Sequence, residues 1–306
     1  AAAQFSLARN GVHRASEKQR VSERAMTEQG FQERNPMHIA PSARPDGLRL
    51  SCYIRTLNEE RRIGEVVRAA FQVADEVVIV DSGSKDRTLA IAQAEGARIV
   101  KQPWLGNGRQ KRVGEAAALH DWLLDLDADE VVTPALAEEI RGVLERGPQQ
   151  AMYEITMIIV PPYGKPWRGF KLARRIKLYD RRRVRIPDHA AWDQVDAPPG
   201  ERVGRIREPL LHYSFISMEH VIAKLNRVSS VRARETPLKP RWNVALRVTM
   251  GFPAYFLKEY FLNGLILGGL YGFAFASSLA FGRWLRDVKM YERHLASAQE
   301  KAAQER

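Results

Sequence analysis

The sequence predicts an α/β fold of the Rossmann-like kind, a mainly parallel sheet with flanking helices, followed by a C-terminal helical region associated with a membrane. Three observations carry this. Short β-branched runs alternate with helical patterns between residues 48 and 146, as crossover connections require. Glu76–Val80 (EVVIV) is continuously apolar after its first residue, the pattern of a strand buried on both faces. Tyr260–Gly282 carries no charged residue and is flanked by Lys258, Glu259, Arg283 and Arg286.

Taken in order, Leu48–Ile54 reads as the first strand and Asn58–Gln72 as a helix. Glu76–Val80 is the second strand. Arg87–Glu95 is a helix ending at Gly96, where a left-handed cap costs little. Ala97–Val100 is a third strand, Asn107–Leu119 a helix, and Trp122–Leu126 (WLLDL) a fourth strand. Pro134 sits where a helix over Ala135–Arg146 would begin. Beyond Gly147 the pattern shifts to strands at Tyr153–Val160 and Arg174–Tyr179, a polar stretch over Ile186–Gly204, and a helix over Ser217–Arg234. The domain reading is a disordered tail over 1–47, without the apolar core of a signal peptide, a catalytic domain over 48–215, and a helical region over 216–306.

The 306 residues carry a formal charge of +12, which calls for an anionic partner: nucleic acid, an anionic leaflet or a phosphorylated substrate. Ten Lys or Arg and a single acid, Asp180, fall between Lys165 and Arg185. This run is either a solvated face or a contact for phosphates of a lipid-linked acceptor or of lipid headgroups. The lone cysteine, Cys52, lies in an apolar stretch and reads as a core residue.

Three motifs follow predicted strands. Thr56-Leu57-Asn58-Glu59 follows the first, Asp81-Ser82-Gly83-Ser84 the second, and Asp127-Ala128-Asp129 the fourth. Open parallel sheets bind ligands beyond the carboxyl ends of their strands, so all three are expected to converge on one edge. Asp127 and Asp129 are a donor pair for a hard cation such as Mg²⁺ or Mn²⁺ bridging to phosphate. Asp81 is placed to accept hydrogen bonds from a nucleobase or ribose, Gly83 permits a tight turn, and Asp86 can cap the next helix. Arg109 and Lys111, at a helix start after Gly106-Asn107-Gly108, together with the first helical amides, form an expected anion site. There is no G-x-G-x-x-G after the first strand and no Walker A sequence, which argues against dinucleotide and P-loop enzymes.

The strings Leu48–Glu59, VVIVDSGSKDRT, WLGNGRQK and WLLDLDADE, in that order, resemble the family 2 glycosyltransferases, and more closely the branch that adds glucose to the lipopolysaccharide inner core. The likeness runs from Leu48 to Trp284 and takes in Lys177–Arg181, Leu211–Ser214 and Glu219–Asn226. It implies a GT-A fold, a UDP-sugar donor, a divalent metal and inversion at the anomeric carbon; the expected location is the cytoplasmic face of the inner membrane, peripheral, monotopic or single-pass. Carried over by position, Thr56, Asn58, Glu59, Asp81, Ser82, Gly83, Arg109, Lys111 and Asp127 would hold the nucleotide-sugar. Asp127 and Asp129 would hold the metal, Asp129 the more directly. Arg55 stands where many relatives have proline, Leu57 where they have tyrosine, and Trp192 where this branch has histidine. Asp193 is the expected general base, with Asp188 and Asp196 as nearby competitors; His189 and His212 are metal or acceptor contacts, or structural. Acceptors other than lipopolysaccharide, a polyprenyl phosphate first, fit the same donor motifs. A basic nucleic-acid-binding protein is the reading from another class, but it leaves the strand-end acids unexplained and no nucleic acid is expected. The uncharged run Tyr260–Gly282 admits a core helix, a bilayer span, or a re-entrant or monotopic element.

Overall fold

A computed structural model of the chain describes residues 48–163, 165–167, 173–190 and 192–304. The N-terminal tail over 1–47 lies outside the described residues. The first half alternates strand and helix as its periodicity predicts: β1 (Leu50–Thr56), α1 (Ile63–Phe71), β2 (Glu76–Asp81), α2 (Thr88–Ala94), β3 (Arg98–Lys101), α3 (Asn107–Ala117) and β4 (Trp122–Asp127). A two-residue strand β5 (Glu130–Val131) leads to α4 (Pro134–Glu145), and β6 (Met152–Ile159), β7 (Arg174–Asp180) and β8 (Gly204–His212) follow. Thr133 caps α4 by accepting a hydrogen bond from the amide of Leu136, with Pro134 in the first turn.

The eight strands form one sheet in the order β3-β2-β1-β4-β7-β6-β8-β5. The β3-β2-β1-β4 half is parallel throughout, while β7 runs antiparallel to both β4 and β6, and β5 antiparallel to β8. The sheet is therefore mixed, with a parallel half that holds the motifs. In β1, β2 and β4 nearly every residue is buried, because helices cover both faces. One core layer joins Ile54, Ile79 and Leu126 to Val66, Ile140 and Leu136 of the helices.

Because β1 lies between β2 and β4, the three strand ends are neighbours. Thr56 is level with Asp81 and Arg55 with Asp127. On the other face, buried Glu115 of α3 accepts hydrogen bonds from the Tyr179 hydroxyl at 3.1 Å and the Ile186 amide at 2.9 Å. That network ties the segment after β7, which leads to Asp193, against α3.

The C-terminal region comprises α5 (Met218–Glu235), α6 (Arg241–Leu257) and α7 (Gly269–Gln304). The α6 and α7 helices run antiparallel. Trp284 Nε1 donates to Val248 O at 2.8 Å, and Arg247 pairs with Asp287 at 3.3 Å. Between them the uncharged run bends. A π-helical turn at Lys258–Leu262 gives way at Gly264 (φ 81°) to a 3-10 turn at Leu265–Gly268, and Gly269 (φ 60°) opens the return. Positive φ is cheap only for glycine, so these two residues allow the reversal. The stretch Leu265–Glu300, the 3-10 turn and most of α7, is by length and composition apolar enough to cross a membrane, with mean hydropathy 1.6 and 39% of its apolar window buried. Trp167, Phe215, Val221, Leu265 and Phe275 pack together and fasten the hairpin to the rest of the chain.

Candidate active site

A cleft of about 500 Å³ opens beyond the carboxyl ends of β1 and β4. Its floor is charged and buried. Lys111, projecting from α3, meets Asp125 at 2.8 Å, and Lys177 of β7 meets Glu130 at 2.7 Å, all four side chains at most 3% exposed. Charge at such depth is tolerated only when paired. The neighbouring carboxylates of Asp125 and Glu130 hold the Lys177 ammonium well above the ordinary lysine range, although burial alone would lower it. Burial would likewise raise Asp127, but Lys111, Lys177 and Arg55 drive its carboxyl far below the usual range.

Arg55 crosses the cleft mouth. Its Nε lies 2.9 Å from Asp127 Oδ1, one terminal nitrogen 3.0 Å from Asp193 Oδ2, and the other donates to Asn107 Oδ1 at 3.0 Å. Arg55 thus joins the Asp127-Ala128-Asp129 motif to the candidate base. His212 of β8 faces Asp129, Nε2 to Oδ2 at 3.2 Å. Burial disfavours the imidazolium, yet the hydrogen bond and charge of Asp129 raise His212 above its ordinary value. Glu59 is pushed up to about 7 by burial and by the charges of Asp129 and Asp86.

Of the predicted residues, Thr56, Glu59, Ser82, Lys111, Asp127, Asp129 and Asp193 line the cleft. Asp193 does so while its competitors do not: Asp188 pairs with Arg109 at 2.8 Å and Asp196 accepts from Trp192 Nε1 at 2.9 Å. Arg109 is drawn to that pair and is not among the lining residues. Asp81 is buried beneath its own turn, accepting from the amides of Gly83 at 2.9 Å and Ser84 at 3.0 Å. Asn58, at φ 55°, receives the Lys85 amide at 2.8 Å and so clamps the turn after β1 to the turn after β2. Asp86 accepts from the Thr88 amide at 3.0 Å, as a cap would. The expected anion site at the start of α3 is a different arrangement. Asn107 N donates to Ala190 O at 2.6 Å and Gly108 N to His189 O at 3.1 Å, so those two amides are already used. A Cβ at Gly108 would run into the Trp192 carbonyl, which explains why this contact needs glycine. His189 Nδ1 accepts from the Trp192 amide at 2.8 Å, which gives it a part in shaping this loop.

The basic run over 165–185 is largely neutralised within the fold. Arg174 pairs with Glu154, Lys177 with Glu130, Arg181 and Arg182 with Asp121, Arg183 with Glu201 and Arg185 with Glu115. Arg168 and Lys171 lie outside the described residues. Sequence reasoning assigned no role to Asp125 or Lys177, although an acid inside WLLDL and a lysine inside the RRIKLYD strand each signal a buried partner.

Three buried side-chain oxygens have no hydrogen-bond partner among the described residues: Thr56 Oγ1, Asp125 Oδ1 and Asp127 Oδ1. The last is ion-paired, 2.9 Å from Arg55 Nε and 3.6 Å from Lys111 Nζ, so the two oxygens left without any partner are those of Thr56 and Asp125. All three residues line the cleft. Orphaned buried oxygens are rare, and their collection at one place marks a ligand position. Among the described residues no three acidic, cysteine or histidine side chains gather closely enough to hold a metal by themselves. The donor chemistry fits a hard divalent ion that takes one or two carboxylates and completes its shell with phosphate oxygens and water.

Residues 51–198 match the family described as glycosyl transferase family 2. The Rhizobium meliloti lipopolysaccharide core biosynthesis glycosyltransferase LpsC is 31% identical over 261 residues, covering 82% of this chain and 95% of that protein. The chain belongs to glycosyl transferase family 2. An uncharacterized glycosyltransferase of Rickettsia felis is 30% identical, covering 81% of this chain and 92% of the relative. Among solved structures, glucosyl-3-phosphoglycerate synthase of Mycobacterium tuberculosis, in complex with Mn²⁺, UDP and glucosyl-3-phosphoglycerate, is 27% identical with a TM-score of 0.31. The match covers 37% of this chain and 44% of that one. As a family 2 glycosyltransferase the chain has the GT-A fold, its parallel half carrying the Asp127-Ala128-Asp129 motif.

Proposed function

We propose that this glycosyltransferase moves a sugar, glucose in our reading, from UDP to a lipid-linked saccharide such as the lipopolysaccharide core, with inversion. The observation that carries the donor half is the pair of orphaned oxygens, Thr56 Oγ1 and Asp125 Oδ1, beside the Asp127 carboxylate at the ends of β1 and β4. The role of the Rhizobium relative in lipopolysaccharide core biosynthesis, in a protein matched over nearly its whole length, supports the acceptor class.

In this reading Thr56, Glu59 and Ser82 contact the nucleoside side of the donor, and Lys111 faces the diphosphate. Asp129, with Asp127, would hold Mg²⁺ or Mn²⁺, which when bound offsets the negative charge of the diphosphate. Arg55 fixes Asp193 beside the Asp127 motif. Asp193 takes the proton of the acceptor hydroxyl as that oxygen bonds to the anomeric carbon. The carbon–oxygen bond to UDP breaks, and UDP leaves with the electron pair. A single displacement of this kind inverts the centre.

The hairpin apex seats the enzyme on the cytoplasmic face of the inner membrane. Leu262, Leu267 and Leu270 there are 76–85% exposed, with Phe261 and Phe273 beside them, on a bend that suits a monotopic element. The regions 48–215 and 216–306 then divide the work into catalysis and membrane seating. The test is UDP release from UDP-glucose by purified protein, with and without Mn²⁺, and by Asp129→Ala. Mn²⁺-dependent turnover that the variant abolishes is the expected result; no nucleotide-sugar turnover or binding under any metal condition would refute the reading. Transfer to a polyprenyl phosphate in place of a core saccharide would change the acceptor and leave the donor half intact.

A further inference from the structure

The cleft has two charged sides. On the floor and at the mouth these acids are matched: Asp125 by Lys111 and Glu130 by Lys177 below, Asp127 and Asp193 by Arg55 and Asp129 by His212 above. The other side is different. Arg175 of β7 and Lys224 and Arg227 of α5 also line the cleft, yet none of the three has an ion-pair partner among the described residues. Among the described residues Lys224 donates to the Ser214 carbonyl at 3.5 Å, and of the cleft acids Glu59 feels its charge without pairing with it. Three residues apart on one helix, Lys224 and Arg227 share a face, and β7 brings Arg175 to the same opening from the sheet. A UDP-sugar with a divalent ion brings little net charge, so the donor adds little to offset these three cations.

Resting on the glycosyltransferase reading, we propose that Arg175, Lys224 and Arg227 form an anion subsite for the acceptor. It takes a phosphate or carboxylate carried by the accepting saccharide and so directs the neighbouring hydroxyl toward Asp193. Guanidinium groups suit both anions, which are planar or tetrahedral arrays of oxygen that accept paired N–H donors. A neutral saccharide would leave three cations facing one another across the cleft, so the subsite also selects against neutral acceptors.

The test uses the full chain loaded with UDP and Mn²⁺, so that the donor side is filled, and titrates glucose 6-phosphate, glucuronate and glucose by calorimetry. At least one charged sugar is expected to bind and glucose is not; the preferred one identifies the anion as phosphate or carboxylate. The Lys224→Gln/Arg227→Gln variant is expected to weaken that binding by about tenfold or more, the value of a lost charge-assisted hydrogen bond, with UDP affinity unchanged. Arg175→Gln, on a separate element, should act the same way. Neither charged sugar binding to the UDP-loaded protein, or binding that survives both variants, would overturn the inference. So would variants that lose UDP affinity, because the cations would then serve the donor. UDP that fails to bind the wild type would instead remove the glycosyltransferase reading, and the subsite with it.

Discussion

The cleft floor and the hairpin apex depart from ordinary burial in opposite directions. The floor buries Lys111, Asp125, Lys177 and Glu130, where a core would hold leucine. The apex exposes Leu262, Leu267 and Leu270, where a surface would hold charge. On the floor the compensation lies within the fold, since each buried charge has an opposite charge within 2.8 Å. At the apex the described residues provide none. The difference teaches how to read each: internally compensated charge is machinery held ready, whereas uncompensated apolar surface points to something outside the chain.

The comparison can be broken most sharply at Asp193. If the paired charges of the cleft are machinery, Asp193→Asn at its mouth should lower sugar transfer by about 10²–10⁴-fold, the usual contribution of a general base. UDP binding by calorimetry should stay near the wild-type value. A variant with full transfer would relegate Asp193 to a partner of Arg55. Next in size, Lys177→Met strands Glu130 in the core and should cost about 3–5 kcal/mol in urea unfolding. A loss under about 1 kcal/mol would show that the floor is not the closed charge network described.

At the apex, Leu267→Glu/Leu270→Glu should reduce co-sedimentation with anionic vesicles by about tenfold or more, since each leucine buries about 1.5–3 kcal/mol of apolar surface. Soluble turnover of UDP-glucose should be unaffected. Equal retention would separate the exposed leucines from the membrane. The smallest effect is expected at Glu59. Its pKa is raised to about 7 from 4.5, so between those values the folded chain holds a proton that the unfolded chain has released. Stability therefore declines as pH rises through this window, and Glu59→Gln should flatten the decline when melting is compared at about pH 5 and about pH 8. An unchanged slope would place the titration elsewhere.

Much of the parallel half was legible residue by residue. The predicted strands at Glu76–Val80 and Trp122–Leu126 each extend by one residue, Asp81 and Asp127, in the structure. The helix predicted over Asn58–Gln72 begins only at Ile63, because Asn58, Glu59 and Glu60 are engaged with the turn after β2. The strand β8 gave no clear signal. Its alternation is interrupted around Pro209, where the register with β6 jumps from Ile155–Ile206 to Met157–Leu210, and a bulge is where a strand tolerates proline. The helix α6 was also missed, its apolar residues being spread around the axis: Trp242, Leu246 and Met250 face outward, while Val244 packs with Met290.

For the site, strand ends could be read because a buried strand must finish where its apolar run finishes. The meeting of Thr56, Asp127 and Asp129 therefore followed from local pattern and the geometry of parallel sheets. Three things had to await the tertiary structure. Asp81 turned out to hold its own turn, Arg109 was claimed by Asp188, and Arg55 bridged Asp127 to Asp193. These outcomes depend on which partner reaches a charge first across separations of up to 138 residues, as between Arg55 and Asp193. Hydrophobic periodicity is a property of neighbours in the chain and so is written in the sequence. The pairing of charges, and the bend that turns an uncharged run back on itself, belong to neighbours in space, which only the packed chain brings together.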